Sequence, residues 1–384
     1  MSELVLKTEQ DVEDLTWGAT FYGVGGGGTA SEGLTLLKKE LARVGSIPCV
    51  APSDLRDDAW TATVSFMGNR APLTPEQERQ KKSLGLVEWK YENNMVEAVR
   101  FLETISGRKV EALIVPELGG ANTPSPIATA AALGIHAVDA DYAGRAVPEI
   151  AQCGACLMGE PTVPIASVDK WGNKAVIHEA VNDALGERLG KMLAMAAFGN
   201  TAIALLLLPA SVMKNCVVPG TISESHSLGK AVREARAAGR DAAGAALAHT
   251  GGRKLFQGTL VKKDWTVKDG YLDGYHVFEG DGEFAGHTFK VWYKNENHVT
   301  WLDDKPYVTT PDRVHQIETT LGMPLLNNEC REGQHFVFIG LPSRELHLRP
   351  EILPRMSPRH YGFDIDYVPM DTMADKVCGS EKCE

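Results

Sequence analysis

The chain has 384 residues, 43% of them hydrophobic and 23% charged, with a formal net charge of −11 and a pI near 5.5. That length can bury a substantial core and suits two domains. The acidic balance, with no basic block interleaved with aromatics, argues against a nucleic-acid surface, and the longest apolar run, AIALLLLPA at 202–210, is too short to span a bilayer. The polar opening MSELVLKTEQDVEDL has neither a basic nor an apolar leader segment, and seven scattered cysteines make no disulfide framework, so a cytoplasmic, reduced protein is expected.

In DVEDLTWGATFY at 11–22, Val12, Leu15, Ala19 and Tyr22 recur at helical spacing, so the glycine loop GVGGGGT at 23–29 follows a helix rather than a strand. Thr29 and Glu32 offer a capping box to a second helix with Leu34, Leu37, Leu41 and Val44 on one face. SIPCVAP and TATVSFMG read as short buried strands, and YENNMVEAVRFLETISG as a helix stopped by Gly107. The strand VEALIVPE, the helix PSPIATAAALG and the strand IHAVDAD then make a βαβ unit, which predicts an open, mostly parallel α/β sheet. A helix at DALGERLGKMLAMAAFG, a strand at TAIALLLL and one long Ala-rich helix around SLGKAVREARAAGRDAAGAALAHT follow. From Lys254 the chain turns to short strands with Gly and Asp turns, which predicts a β-rich sandwich or small barrel. MADKVCGSEKCE has little to bury and reads as a loose tail.

The glycine loop lacks the preceding strand that a dinucleotide fingerprint or a phosphate loop requires, and Thr29, Ala30 and Ser31 follow it where an NTPase loop needs Lys before Ser or Thr. ATP is therefore not expected. Gly25, Gly26, Gly27 and Gly28 can present backbone N–H groups to an anionic or oxyanionic ligand at the next helix N-terminus, or serve a helix–helix bend.

PELGGANTPSP at 116–126 and DADYAGRAVPE at 139–149 follow neighbouring strands, at the end where open α/β sheets bind ligands. Glu117, Asn122, Asp139, Asp141, Arg145 and Glu149 are thus candidates to meet in one crevice; the alternative is that the carboxylates cap helices and pair with Arg145. Cys153 and Cys156 form CGAC without a second half for a zinc site, and read as small buried residues. His178 and His226 stand where a side chain could reach a cleft, although a single histidine is more often an ordinary hydrogen-bonded residue.

Taken together, GATFYGVGGGG, VPELGGAN, DADYAGRAVPE, GTISES, YKNENHV, TTPDRV and YGFDIDYVPM occur in an order that resembles the S-methyl thiohydantoin desulfurase family, over roughly residues 8–370. The resemblance implies an N-terminal α/β domain at 8–165, a C-terminal domain at 168–370 that is β-rich from about 254, and a tail at 371–384. It implies action on a cyclic ureide or thioureide, a hydantoin or thiohydantoin. His136, where relatives carry Pro, and His226, where they carry a small residue, depart from the pattern.

The expectation is a hydrolase in which water attacks a thiocarbonyl or carbonyl carbon, with desulfuration or ring opening. Acid or base work falls to Asp139, Asp141, Glu149 or Glu117, substrate clamping to Asn122 and Arg145, and oxyanion binding to Gly25–Gly28. Glu296 in YKNENHV is a further substrate contact, or else a satisfied interdomain residue. Zinc would activate water and polarise C=S, with His226, Asp139 and Asp141 as ligands and His178 as substitute. Two alternatives stay open: an ATP-dependent ring-opening enzyme of the hydantoin or oxoproline type, and a non-catalytic ureide-binding subunit. A homo-oligomer is expected, without nucleic-acid or membrane partners.

Overall fold

The computed structural model describes residues 4–68 and 73–373, so most of the expected tail lies outside the described residues. A first sheet contains β1 (Leu4–Leu6), β2 (Ile47–Val50), β3 (Trp60–Gly68), β4 (Ala112–Val115), β5 (His136–Asp141), β6 (Ile165–Val168), β7 (Lys174–Ile177), β8 (Asn200–Pro209) and the short β9 (Val218–Pro219). Its order is β1-β2-β5-β4-β3-β8-β6-β7, with β9 beside β5. β2, β5, β4 and β3 pair in parallel at the centre, and antiparallel strands extend both ends. The central position explains the sequence: all four residues of β4, ALIV, are buried, as a strand covered on both faces requires. The strands that follow residue 165 complete this same sheet, and the change to the second sheet comes only at Arg253.

The second sheet is antiparallel: β10 (Arg253–Lys268), β11 (Tyr271–Gly280), β12 (Thr288–Lys294), β13 (Glu296–Leu302), β14 (Lys305–Thr309), β15 (Arg313–Glu318), β16 (Met323–Pro324) and β17 (His335–Leu341). The order is β14-β13-β12-β11-β10-β17-β15-β16. β13 and β14 also come against β15, so the sheet curls toward a barrel around a phenylalanine core in which Phe338 meets Phe278 at 4.8 Å and Phe289 at 4.9 Å.

Helix Glu9–Tyr22 leads directly into the glycine loop, and helix Ala30–Val44 leaves it. Two local expectations change. The capping box forms one helix earlier: the Thr8 hydroxyl accepts from the Asp11 amide and Asp11 accepts from the Thr8 amide, whereas Thr29 caps its helix without a side-chain bond. The long Ala-rich helix is two helices, Thr221–Ala237 and Ala242–Thr250, because Asp241 accepts from the Ala243 amide and starts a new N-terminus. Helix Thr221–Ala237 crosses helix Glu9–Tyr22 in backbone contact. A Cβ on Gly18 would stand 1.7 Å from the Ser225 carbonyl oxygen, and one on Gly229 would stand 1.8 Å from that of Asp14. Arg233 secures the crossing with a fork on Asp14 at 2.7 and 2.9 Å.

Candidate active site

A cavity of about 460 Å³ lies where the glycine loop, the loops after β4 and β5, helix Asp183–Ala196 and the start of β13 meet. Glu117 comes from the loop after β4. Its Oε1 accepts from Asn122 Nδ2 and its Oε2 from the Val147 amide, each at 2.5 Å, so the loops after two adjacent strands are tied through one carboxylate. Glu296 opens β13 immediately after Asn295, whose φ of +59° makes the tight turn from β12. Asparagine tolerates that conformation, and its Oδ1 accepts from the Leu272 amide at 2.8 Å, which fixes the turn. The Glu296 side chain is thereby directed inward, where it is buried and its Oε2 has no hydrogen-bond partner.

The glycine loop is held by its carbonyls. Val24 O accepts from the Asn297 amide at 2.8 Å, Gly25 O from the Asn327 amide at 2.8 Å, and Gly27 O from the amides of Ala121 and Asn122 at 3.1 Å each. The amides of Gly25, Gly27, Gly28 and Thr29 donate to no protein acceptor among the described residues, and all four residues line the cavity. Contact is so close that a Cβ on Gly27 would stand 2.5 Å from the Gly119 Cα. The loop is a bend between helices, and it leaves backbone donors at a cavity wall.

Behind Glu117 and Glu296 lies Arg145, fully buried and outside the cavity lining. Its Nη2 donates to Asn297 O at 3.0 Å, its Nε to Ala146 O at 3.0 Å and its Nη1 to the Thr310 hydroxyl at 3.3 Å, so it braces the first sheet against the second. Burial pushes the Glu117 carboxyl up to about 8, against the two donors that favour its charged form. Burial raises Glu296 well above the usual carboxylate range, with neighbouring Glu117 adding to the shift and Arg145 opposing it. One guanidinium facing two carboxyls favours a single shared negative charge. Glu117, with both oxygens satisfied by donors, is the better holder of that charge, and Glu296, with a bare Oε2, the better holder of the proton.

Glu149 lines the same cavity but is committed to pairing: Lys294 lies 2.5 Å from Oε1 and His360 3.1 Å from Oε2. The hydrogen bond from His360, followed by Lys294 against the cost of burial, depresses Glu149 to about 2. It is a fixed anion rather than a proton carrier. Three wall residues gave no sequence signal. Glu187, buried on an apparently surface-charged helix, accepts from the Tyr271 hydroxyl at 2.6 Å and pairs with Lys191 at 2.9 Å. Only their meeting across distant segments defines them.

The remaining expected residues do not reach the cavity. Asp139 caps helix Thr221–Ala237, accepting from the Ile222 and Ser223 amides at 2.9 Å each and from the Ser223 hydroxyl at 2.5 Å. Asp141 Oδ2 holds the turn of Ala143 and Gly144 through their amides at 2.9 and 2.7 Å, and burial pushes its carboxyl up to about 6. The Thr221 hydroxyl favours its charged form without completing a well-formed bond to Oδ1. His226 turns to Asp11 at 3.4 Å, and His178 is 82% exposed beside Glu179. The zinc set of His226, Asp139, Asp141 and His178 is therefore not assembled, and among the described residues no group of three or more His, Cys, Asp or Glu is arranged to hold a metal ion. His136 is exposed at the start of β5. Cys153 and Cys156 are buried and free, and burial raises both thiols, as inert packing residues require.

The fold matches that of a solved protein from Chromobacterium violaceum with a TM-score of 0.75 and 22% identity, over 96% of this chain and 100% of that one. At that identity the likeness defines a shared fold. No match was found among curated proteins. Two family models, described as the S-Me-THD-like N-terminal and C-terminal domains, match residues 10–179 and 181–370. The chain belongs to this family, that of the S-methyl thiohydantoin desulfurases, and its function is thiohydantoin-related. Among the described residues no helix is long and apolar enough to cross a membrane.

Proposed function

We propose that the protein is a hydrolase acting on a cyclic thioureide or ureide, with the cavity between Glu117, Glu296 and the glycine loop as its active site. The observation that carries this is the unequal pair: a donor-saturated Glu117 and a buried Glu296 with a bare Oε2, on one cavity, before a single buried guanidinium. Glu117 takes a proton from water as the oxygen adds to the thiocarbonyl or carbonyl carbon. The anion that develops is held by the unpaired amides of Gly27, Gly28 and Thr29 at the start of helix Ala30–Val44. In desulfuration Glu296 gives its proton to the sulfur, the C–S bond breaks to release HS−, and the added hydroxyl returns its proton to Glu296 as it becomes the carbonyl, while Glu117 passes its proton to solvent. In ring opening Glu296 gives its proton to the departing nitrogen as the C–N bond breaks, and the proton taken up by Glu117 restores Glu296. Asn122, held by Glu117, is placed to orient the ring.

Zinc has no step here, because His226, His178, Asp139 and Asp141 do not converge on the cavity. The test is incubation with a panel of hydantoins, thiohydantoins and S-alkyl thiohydantoins, following released thiol or sulfide and ring-opened product, with wild type beside Glu117→Gln and Glu296→Gln. Turnover of one of these rings that both variants abolish is expected. Turnover unaffected by either variant would move the active site elsewhere.

A further inference from the structure

Helix Asp183–Ala196 packs the opposite way from an ordinary amphipathic helix. Its small residues Gly186, Gly190 and Ala194 are buried, and a Cβ on Gly190 would stand 2.2 Å from the Met67 sulfur. Its large apolar residues are left outside: Leu185, Leu189, Met192 and Met195 are 43–66% exposed, at spacings that put them on one face. Leu185, Met192 and Met195 form the apolar side of a second cavity, about 550 Å³.

That cavity is continuous in its walls with the proposed active site. Glu149, Glu187, Lys191, Gly270 and Tyr271 line both. The Tyr271 ring is the partition, with Lys191 Nζ 3.4 Å and Lys294 Nζ 4.2 Å from its centroid and its hydroxyl on Glu187 at 2.6 Å. The acids and bases on the shared wall pair with one another, Lys191 with Glu187 and Lys294 with Glu149. The wall shared with the first cavity therefore offers no unbalanced charge; Arg188 and Asp269 stand elsewhere on the lining, and the apolar side is the flexible, polarizable methionine surface.

We propose that this compartment, floored by Met192 and Met195 and divided from the Glu117–Glu296 cavity by Tyr271, is a subsite for an apolar substituent carried by the ring substrate. It rests on the hydrolase reading of the adjoining cavity, and it sets that substrate as a ring bearing an alkyl, aryl or thioether arm rather than a bare ring. Exposed apolar side chains on a helix are costly to leave in water, and an arm of a few carbons reaching past Tyr271 covers them without disturbing the Glu187 and Glu149 pairs. Methionine on both turns of the floor suits arms of differing shape.

The experiment is calorimetric binding of hydantoin and 5-benzylhydantoin to wild type and to Met192→Glu and Met195→Glu, with sedimentation of all three proteins. Wild type is expected to bind the benzyl ring about 10- to 50-fold more tightly, as partial burial of an aromatic arm implies. Each variant should bring the two ligands within about threefold of each other, with binding of bare hydantoin unchanged. Equal binding of both rings to wild type, or a preference that survives both substitutions, overturns the subsite while leaving the hydrolase reading intact. No binding of either ring to wild type overturns the subsite, and the turnover panel above decides the hydrolase reading separately. A wild-type dimer that the substitutions dissociate, together with no benzyl preference, assigns the methionine face to a second copy of the chain and overturns the subsite alone.

Discussion

Glu296 Oε1 lies so near Gly26 that a methyl group on that glycine would stand 2.0 Å from it. The glycine is therefore required by the carboxyl beside it and not by its own backbone angles. Gly26→Ala should displace Glu296, lower kcat at least about tenfold and cost about 1–3 kcal/mol of stability, the usual penalty of overpacking. Adding Glu296→Asp shortens the acid by one methylene and should restore much of the melting temperature lost by Gly26→Ala, without restoring turnover. Melting temperatures that simply add would show that the two residues are uncoupled.

The activity should follow a bell against pH. The rising limb belongs to Glu117, which burial pushes up to about 8, since the base must lose its proton to accept one from water. The falling limb belongs to Glu296, raised further, which must keep its proton to donate it. Glu117→Gln and Glu296→Gln should each lower kcat about 10²- to 10⁴-fold. A kcat/KM profile flat from pH 6 to 9 would assign both limbs elsewhere.

Stability should respond to the same carboxyl with the opposite preference. A group whose pKa is raised in the folded state keeps a proton that the unfolded chain has lost, so the fold weakens as pH rises from the ordinary glutamate value of 4.5 through about 8. Glu117→Gln removes that burden, although it also alters the hydrogen bonds to Asn122 and Val147. Its melting temperature relative to wild type should therefore rise steadily between pH 5 and 9. A constant difference across that range would mean that Glu117 is ionised throughout.

Glu149 behaves in the other sense. Held down to about 2, it strengthens the fold above its ordinary value of 4.5 and loses that contribution as pH falls toward 2. Glu149→Gln should cost roughly 1–2 kcal/mol at pH 7, allowing for its partial exposure, with the deficit clearly smaller at pH 3. Chemical denaturation of both proteins at pH 7 and pH 3 measures the difference.

His226→Ala and His178→Ala should keep activity within about twofold, because neither ring reaches the cavity. If turnover fell sharply in either variant and zinc restored it, the placement of these side chains would need to change.

The order of elements was legible in the sequence because hydrophobic period is a local property. Val12, Leu15, Ala19 and Tyr22 marked a helix before the glycine loop, and ALIV marked a doubly covered strand. The break in the Ala-rich helix was missed because alanine propensity hid the Asp241 cap. Within the site, Glu117, Asn122 and the glycines stood out by their place after a parallel strand or between helices. Asp139 and Asp141 shared that signal but were taken by the Ser223 and Ala143–Gly144 backbone, a difference set by which donor lies nearest in space. Glu187 and Tyr271 left no local trace, since 84 positions separate them in the chain.

Arg145 gives the whole assembly one further property. Its hydrogen bonds reach carbonyl and hydroxyl groups 152 and 165 positions away, and it is the shared counter-ion of carboxyls drawn from both sheets. Neither part of the chain, expressed alone, contains the candidate site whole: the first would keep Arg145 on Ala146 O but without its acceptors on Asn297 and Thr310, and the second would keep Glu296 with no charge to set against it. On the proposed reading, the two carboxyls and their counter-ion come together only when the two sheets dock, so docking, and not the folding of either sheet, assembles the charges of the cavity.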